Sequence, residues 1–446
     1  MIDVPPTHST SAAARLNRLP ISGVHRQIVV LLAYIFFFEL GDLNSFSFAA
    51  PALREHWHLS IATIGRITAA SFVGMFVGAT TGGWFSDRVG RKRALILVTM
   101  WYSAFSFLNA CVWNTAGLVA TRLLTGVGLS AMTVIGMTYI AEMFPANRRG
   151  GYQARILTIG LCGIPATAYV ARFLIPVAPW GWRAVFIWGS LALLFPFVAG
   201  RLEESPLWYE KHGRFADADA ILNRIEDRVR AEGHSLPPAL VAPAVAAQSS
   251  GFRELVSRRS IGATALLMAV WMFQTLAFYG FNSWVPTLLA ERGFSIARSL
   301  EQSSAMSIGA VPGAWIASGI SDRWERRTLI GIVSTLVGTL VMVYGLSDTT
   351  IAIVVLGFMV AMSQQIFSAL LYGYTPECFP TEARNTGAGV VYGMGRLANA
   401  FGPFLVTHLF TTYGYTSVFE YIAVCWGCCA LLVTIFGPLT RGRSLV

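Results

Sequence analysis

Twelve stretches of about 20 or more predominantly apolar residues run through this chain, and no soluble fold accommodates them. A helix needs roughly 20 such residues to cross a hydrocarbon core. The stretches lie near 28–53, 61–85, 93–111, 116–143, 151–174 and 183–203. After a polar interval they resume near 260–290, 300–321, 327–345, 351–377, 384–410 and 417–437. Inside a bilayer every backbone N–H and C=O must be satisfied within the protein, so runs of this length form helices. The expected fold is an all-α membrane protein with twelve transmembrane helices in two sets of six. Only 13% of the 446 residues are charged, about half the share of a soluble domain, which suits a surface that meets lipid.

The basic residues orient the spans. With both termini in the cytoplasm, 25 of the 33 Lys and Arg residues fall in the N-terminal arm, the even-numbered loops, the tail or the adjoining span ends. Six fall on the outer side (Arg54, Arg66, Arg172, Arg183, Arg292 and Arg298), and Arg122 and Arg396 fall within spans. This is the asymmetry of the positive-inside rule. The same rule accounts for the net charge of +10 without a nucleic-acid partner. The domains expected are a cytoplasmic arm (1–27), a first bundle (28–203), a cytoplasmic linker with short amphipathic helices (204–259), a second bundle (260–437) and a cytoplasmic tail (438–446). The first 27 residues lack the apolar core and cleavage site of a signal peptide. The six cysteines show neither metal nor disulfide spacing, and no metal, cofactor, nucleophile triad or phosphate loop is indicated, so an enzyme is not expected.

The two sets of six are duplicates. Gly83-Trp-Phe-Ser-Asp87-Arg88-Val-Gly90-Arg91-Lys-Arg93 stands between spans two and three, and Ser318-Gly-Ile-Ser-Asp322-Arg323-Trp-Glu-Arg326-Arg327 between spans eight and nine. Tyr139, Glu142, Phe144, Pro145 and Arg149 recur as Tyr374, Glu377, Phe379, Pro380 and Arg384. Every pair, Asp87 and Asp322 included, is separated by 235 positions. The first motif resembles the signature loop of the major facilitator superfamily. Glu142 to Arg149, and Glu204-Ser-Pro206 followed by Gly213-Arg214, resemble motifs of its sugar-porter-like branch, which includes aromatic-acid:proton symporters and niacin-type carriers. Ser318 and Glu325 stand where the second copy of the pattern would have glycines. The resemblance implies the major facilitator fold, two pseudo-symmetric six-helix bundles rocking about a midplane site. A latch at the cytoplasmic end is then expected from Asp87, Arg88, Arg91, Glu142, Arg149, Asp322, Arg323, Glu377 and Arg384, with Gly83 and Gly90 allowing close helix approach and a tight turn.

Charges inside spans are costly and mark function. Glu39 and Asp42, three residues apart, share a helix face that should turn toward the cavity. By resemblance to proton-driven sugar carriers, Asp42 and Arg122 couple proton movement, with Glu39 beside them; the plain alternative is a static buried ion pair. Arg396 lies mid-span with no acidic residue of its own half at comparable depth. It therefore needs the span-one acids or an anionic substrate, and aromatic-acid carriers are similar in having an Arg at this place. Gln274, Tyr279, Asn282, Gln364, Gln365, Tyr392 and Asn399 complete the expected substrate site. The function expected is proton-coupled uptake of a small organic anion, an aromatic acid or other carboxylate, by a monomer in a bacterial-type inner membrane. Protons serve as the coupling ion. A sugar or polyol symporter is the alternative, with a drug antiporter or a non-transporting nutrient sensor further off.

Overall fold

The computed structural model describes residues 11–238, 254–257, 260–320, 324–380 and 384–439, and every regular element among them is helical. A short helix α1 (Ala12–Asn17) precedes the first bundle, built from α2 (Gly23–Trp57), α3 (Ile61–Val89), α4 (Arg91–Cys111), α5 (Thr115–Met143), α6 and α7 (Arg149–Leu161 and Gly163–Leu174), and α8 and α9 (Gly181–Gly189 and Phe195–Ala199). Two linker helices follow, α10 (Pro206–Lys211) and α11 (Phe215–Ala231). The second bundle comprises α12 (Ile261–Asn282), α13 (Val285–Glu291), α14 (Ile296–Ser307), α15 (Ala310–Ile320), α16 (Arg326–Leu346), α17 (Thr350–Glu377), α18 (Arg384–Tyr413) and α19 (Tyr415–Phe436). Ten of the spanning units are long and apolar enough to cross a membrane by those criteria alone. The pair α14–α15 and the helix α18, which carries Arg396 in its middle, complete the twelve.

Four of the expected spans are not continuous α-helices (α6–α7, α8–α9, α12–α13 and α14–α15), and in three of them the joint stands four or five residues before a proline. A proline has no N–H to donate and its ring clashes with the carbonyl four residues back. Accordingly α6 stops at Leu161 before Pro165, α12 stops at Asn282 before Pro286, and α14 stops at Ser307 before Pro312. The chain restarts at once, so each break is a joint within a span.

The helices approach closely through small residues, as lipid supplies no hydrophobic drive between them. On α3, Gly74, Gly78 and Gly82 recur every four residues and face α5. A methyl added at Gly74 or Gly78 would lie 2.0 Å from the carbonyl oxygen of Leu123 or Val127, and one at Gly82 would lie 2.9 Å from Ala131 Cα. The close approach expected at Gly83 is therefore made by Gly82; beside Gly83 an added methyl meets nothing within 4 Å. Gly78→Leu should separate α3 from α5 and lower the melting temperature of the purified protein by several degrees, since overpacking costs about 1–3 kcal/mol. Gly83→Leu should leave it within a degree or so. Equal shifts for the two would refute this packing.

The described parts of the arm and linker and the last described residues lie at one end of the molecule, called here the base; the opposite end is the rim. Helix α11 buries Ala218, Ile221, Leu222, Ile225 and Val229, the i, i+3, i+4, i+7 stripe of an amphipathic helix. Glu226 lies on the same face, 3% exposed, and accepts hydrogen bonds from Arg15 Nε and Arg18 NH2, both at 2.8 Å. Burial pushes its carboxyl up, but these bonds outweigh burial and hold it below the usual carboxylate range. A depressed folded-state pKa stabilises the docked arm above the ordinary carboxylate pKa and loses that contribution as pH falls through the depressed value. Glu226→Gln should remove charge-assisted bonds that contribute about 1.5–3 kcal/mol. Trypsin should then cleave after Arg15 and Arg18 at least tenfold faster near neutral pH, whereas an unchanged rate would show that the arm is held elsewhere. The Pro- and Ala-rich segment expected as linker between Ser235 and Ser250 lies mostly outside the described residues.

Candidate functional site

The four charges inside the spans form a series that crosses from one bundle to the other. Arg122, on α5, is 2% exposed, so it does not snorkel to the surface. Its Nε donates to Ser71 Oγ on α3 at 3.0 Å, its guanidinium carbon lies 5.6 Å from the Phe46 ring, and NH1 has no partner. Asp42 on α2 is fully buried; Oδ1 accepts from Ser106 Oγ at 2.7 Å and from Ser45 Oγ at 3.1 Å, while Oδ2 has no partner. Asp42 and Arg122 act on each other through space without a direct ion pair, so the static pair weighed above is not what forms. A methyl at Gly189 of α8 would lie 2.3 Å from Asp42 Oδ1, so this carboxylate fits a slot left by glycine.

Glu39, one turn before Asp42, is 3% exposed and takes a 2.8 Å hydrogen bond from Thr133 Oγ1 of α5, leaving Oε2 without a partner. The fields of both Asp42 and Arg396 reach it. The shared face of Glu39 and Asp42 thus diverges. Asp42 points into the first bundle, between α4 and α8, rather than into the cavity as expected, and Glu39 is the acid that addresses the second bundle. Physically, two carboxylates 60° apart around a helix find different neighbours, each supplying a hydroxyl that repays desolvation.

Arg396 sits on α18, half-buried, within electrostatic reach of Glu39, Tyr279 and Tyr372. Among the described residues it makes no ion pair or hydrogen bond, although such a group is normally paired. Toward the rim, Asn282 Nδ2 donates to Gln364 Oε1 at 2.8 Å; Gln364 Nε2 and Gln274 Oε1 are buried without partners, and Tyr279, which the charge of Arg396 reaches, meets Phe72 across the bundles with ring centroids 5.0 Å apart. Asn399, three residues after Arg396, is buried. Tyr392 packs edge-on against Trp271, at 4.5 Å. Gln365 is not brought into this group: it turns to α15, where a methyl at Gly313 would lie 3.1 Å from its Cβ. One position along a helix rotates a side chain by 100°, so Gln364 and Gln365 cannot both face inward.

At the base, Arg91 is the hub. It binds Asp87 at 2.5 Å, Glu142 at 3.0 Å and Ser86 Oγ at 3.0 Å. Asp87 also meets Lys211 at 3.4 Å, and its carbonyl accepts from Trp208 Nε1 at 2.7 Å. Gly90 has φ 104°, the left-handed turn expected of it, and an added methyl would lie 2.6 Å from Glu204 Oε2. The second bundle repeats the hub as an ion pair between Arg326 and Glu377. Arg326 was missed as a site residue, although adding the 235-residue offset to Arg91 points straight to it. Arg88 instead lies over the Trp84 ring at 4.2 Å, and Arg149 is exposed, with no ion pair among the described residues. Neither joins the hub, because helix rotation turns both outward. Arg384 opens α18, and Asp322 and Arg323 lie outside the described residues.

At the rim the bundles are clasped to each other. Arg54 pairs with Glu291, Arg172 with Glu301 at 2.9 Å, and Ser47 Oγ donates to the carbonyls of Asn282 and Ser283, both at 2.9 Å. A cleft of about 450 Å³ lined by Arg54, Glu55, His58 and Glu291 opens beside this clasp. It belongs to the rim and contains none of the intramembrane charges.

Comparison with known proteins agrees with this architecture. The Major Facilitator Superfamily profile matches residues 32–403 and 302–445. YyaJ of Bacillus subtilis, a metabolite transport protein by name, is 44% identical over 98% of both chains. The niacin transporter NiaP of Acinetobacter baylyi is 28% identical over 97% of this chain and 98% of its own, and a gallate transporter of Pseudomonas putida is 29% identical over 87% and 86%. The xylose transporter XylE of Escherichia coli, in a partially occluded inward-open form, superposes with a TM-score of 0.76 at 17% identity, covering 95% of this chain and 100% of that one. With its duplicated signature loops, twelve spans and a profile match over most of its length, this chain belongs to the major facilitator superfamily and is a multi-pass membrane transporter.

Proposed function

We propose that this transporter takes up a small organic anion, an aromatic acid or another carboxylate, together with a proton. Arg396 holds the carboxylate. Asp42, tuned by Arg122 and followed by Glu39, carries the proton. The observation that supports this reading is Arg396 itself, a guanidinium deep in α18 that faces the first bundle without an ion pair to any described acid. The series Arg396, Glu39, Asp42 and Arg122 sums to zero when all four are ionised. One anion bound at Arg396 and one proton bound at Asp42 keep the sum at zero, so the loaded carrier reorients without moving net charge through a low-dielectric passage.

Relatives named for niacin, gallate and 4-hydroxybenzoate transport fit an aromatic carboxylate. A sugar symporter would use Asp42 and Arg122 in the same way but would leave Arg396 without a task. In this reading the base faces the cytoplasm, by the charge asymmetry; the Arg91–Glu142 and Arg326–Glu377 pairs each lie within one bundle and brace its helices there rather than latching the bundles together, and a monomer is sufficient for transport. The test is a thermal-shift screen of the purified protein against carboxylates and sugars. Stabilisation by carboxylates is expected; stabilisation by sugars alone would remove the anion reading.

A further inference from the structure

Three aromatic rings from three helices meet one helical turn from Arg396, on the side of the base. Trp271 of α12, Tyr372 of α17 and Tyr392 of α18 have ring centroids 4.5–5.1 Å apart, with the tryptophan edge-on to both tyrosines. Trp271 is the fixed member: it is 3% exposed, and its Nε1–H donates to Thr375 Oγ1 at 2.9 Å. Thr275 Oγ1 lies 2.8 Å from the carbonyls of Trp271 and Gly395, which ties α12 to α18 at this level. Tyr392 is four residues before Arg396 and shares its helix face. Tyr372 is 51% exposed, yet the charges of Arg396 and of Glu39, from opposite bundles, both reach it. Its open surface therefore looks into the space between the bundles.

Resting on the reading of Arg396 as the carboxylate anchor, we propose that Tyr372 and Tyr392, backed by Trp271, form a ring subsite that selects planar aromatic carboxylates over saturated ones of the same size. A single-ring acid anchored at Arg396 extends along α18 by about one turn, 5.4 Å, which places its ring against two rigid aromatic walls. Aromatic pairs favour offset or edge-to-face contact beyond simple burial, and a puckered ring cannot reproduce that geometry. The exposed face of Tyr372 is then the wall that the ligand covers.

The test compares benzoate with cyclohexanecarboxylate by calorimetric titration of the purified, full-length protein. The wild type should bind benzoate about tenfold more tightly, the sum of two modest ring contacts. Tyr372→Leu and Tyr392→Leu should bring the ratio toward one, and the Phe variants should preserve it, since the ring rather than the hydroxyl is the determinant. Arg396→Ala should weaken both acids alike. A ratio unchanged in both Leu variants, or a ratio near one in the wild type, would overturn the ring subsite while leaving the anion anchor standing. Benzoate binding that survives Arg396→Ala unaltered would overturn the anchor, and the subsite with it.

Discussion

In proteoliposomes with an imposed gradient of about two pH units, the wild type should accumulate its anion up to about 100-fold, because one proton per anion converts each pH unit into a factor of ten. Asp42→Asn should abolish that accumulation, leaving the internal and external concentrations equal, while anion exchange without a gradient continues. The reason lies in the charge series. Asparagine holds Asp42's place among Ser45, Ser106 and Gly189 but cannot bind or release a proton. Exchange needs only that the loaded carrier reorient. A further consequence is that accumulation should respond to pH and hardly to membrane potential, since the loaded and empty carriers carry the same net charge. Gradient-driven accumulation in Asp42→Asn would show that the proton travels elsewhere, and a strong dependence on potential would contradict one-to-one stoichiometry.

Arg396→Ala should weaken binding of the anion by roughly 30- to 5,000-fold, corresponding to the 2–5 kcal/mol lost when one partner of a desolvated charge pair is truncated. Lysine at this position should recover only part of the loss, since an ammonium cannot offer the planar fork that binds a carboxylate in two places. The variant should remain folded, because Arg396 makes no ion pair or hydrogen bond with the described protein. Its removal also relieves a charge that the second bundle does not balance. Thermal stability without ligand is therefore the control: unchanged or higher stability together with lost affinity supports the anchor, whereas unfolding would indicate a structural cation.

Much of this architecture was legible before any coordinates. Twelve apolar runs dictate twelve spans because the bilayer leaves backbone polar groups no partner but the helix itself. The 235-residue offset disclosed the duplication, and the same arithmetic applied to Arg91 leads to the Arg326–Glu377 pair at the base of the second bundle. Prolines 165, 286 and 312 follow the joints in three spans by four or five residues, where the ring meets the carbonyl of the preceding turn, but Pro51 and Pro403 lie inside unbroken α2 and α18, so packing decided which prolines break a helix. The Gly74, Gly78 and Gly82 stripe on α3 was equally available as a signal of close packing against α5.

What the tertiary structure alone decided is how each span is rotated about its own axis. A helix apolar on every face carries little periodicity to report which side meets lipid and which meets protein, so rotation follows from packing against neighbours. That packing sent Asp42 inward to Ser106 and Glu39 toward Arg396, turned Gln364 to Asn282 and Gln365 away, and set Arg88 and Arg149 apart from Arg91. Sequence determined which charges lie inside the membrane and roughly how deep. Only the fold could bring Arg396 of one bundle within reach of Glu39 of the other, because that juxtaposition depends on contacts between segments hundreds of residues apart.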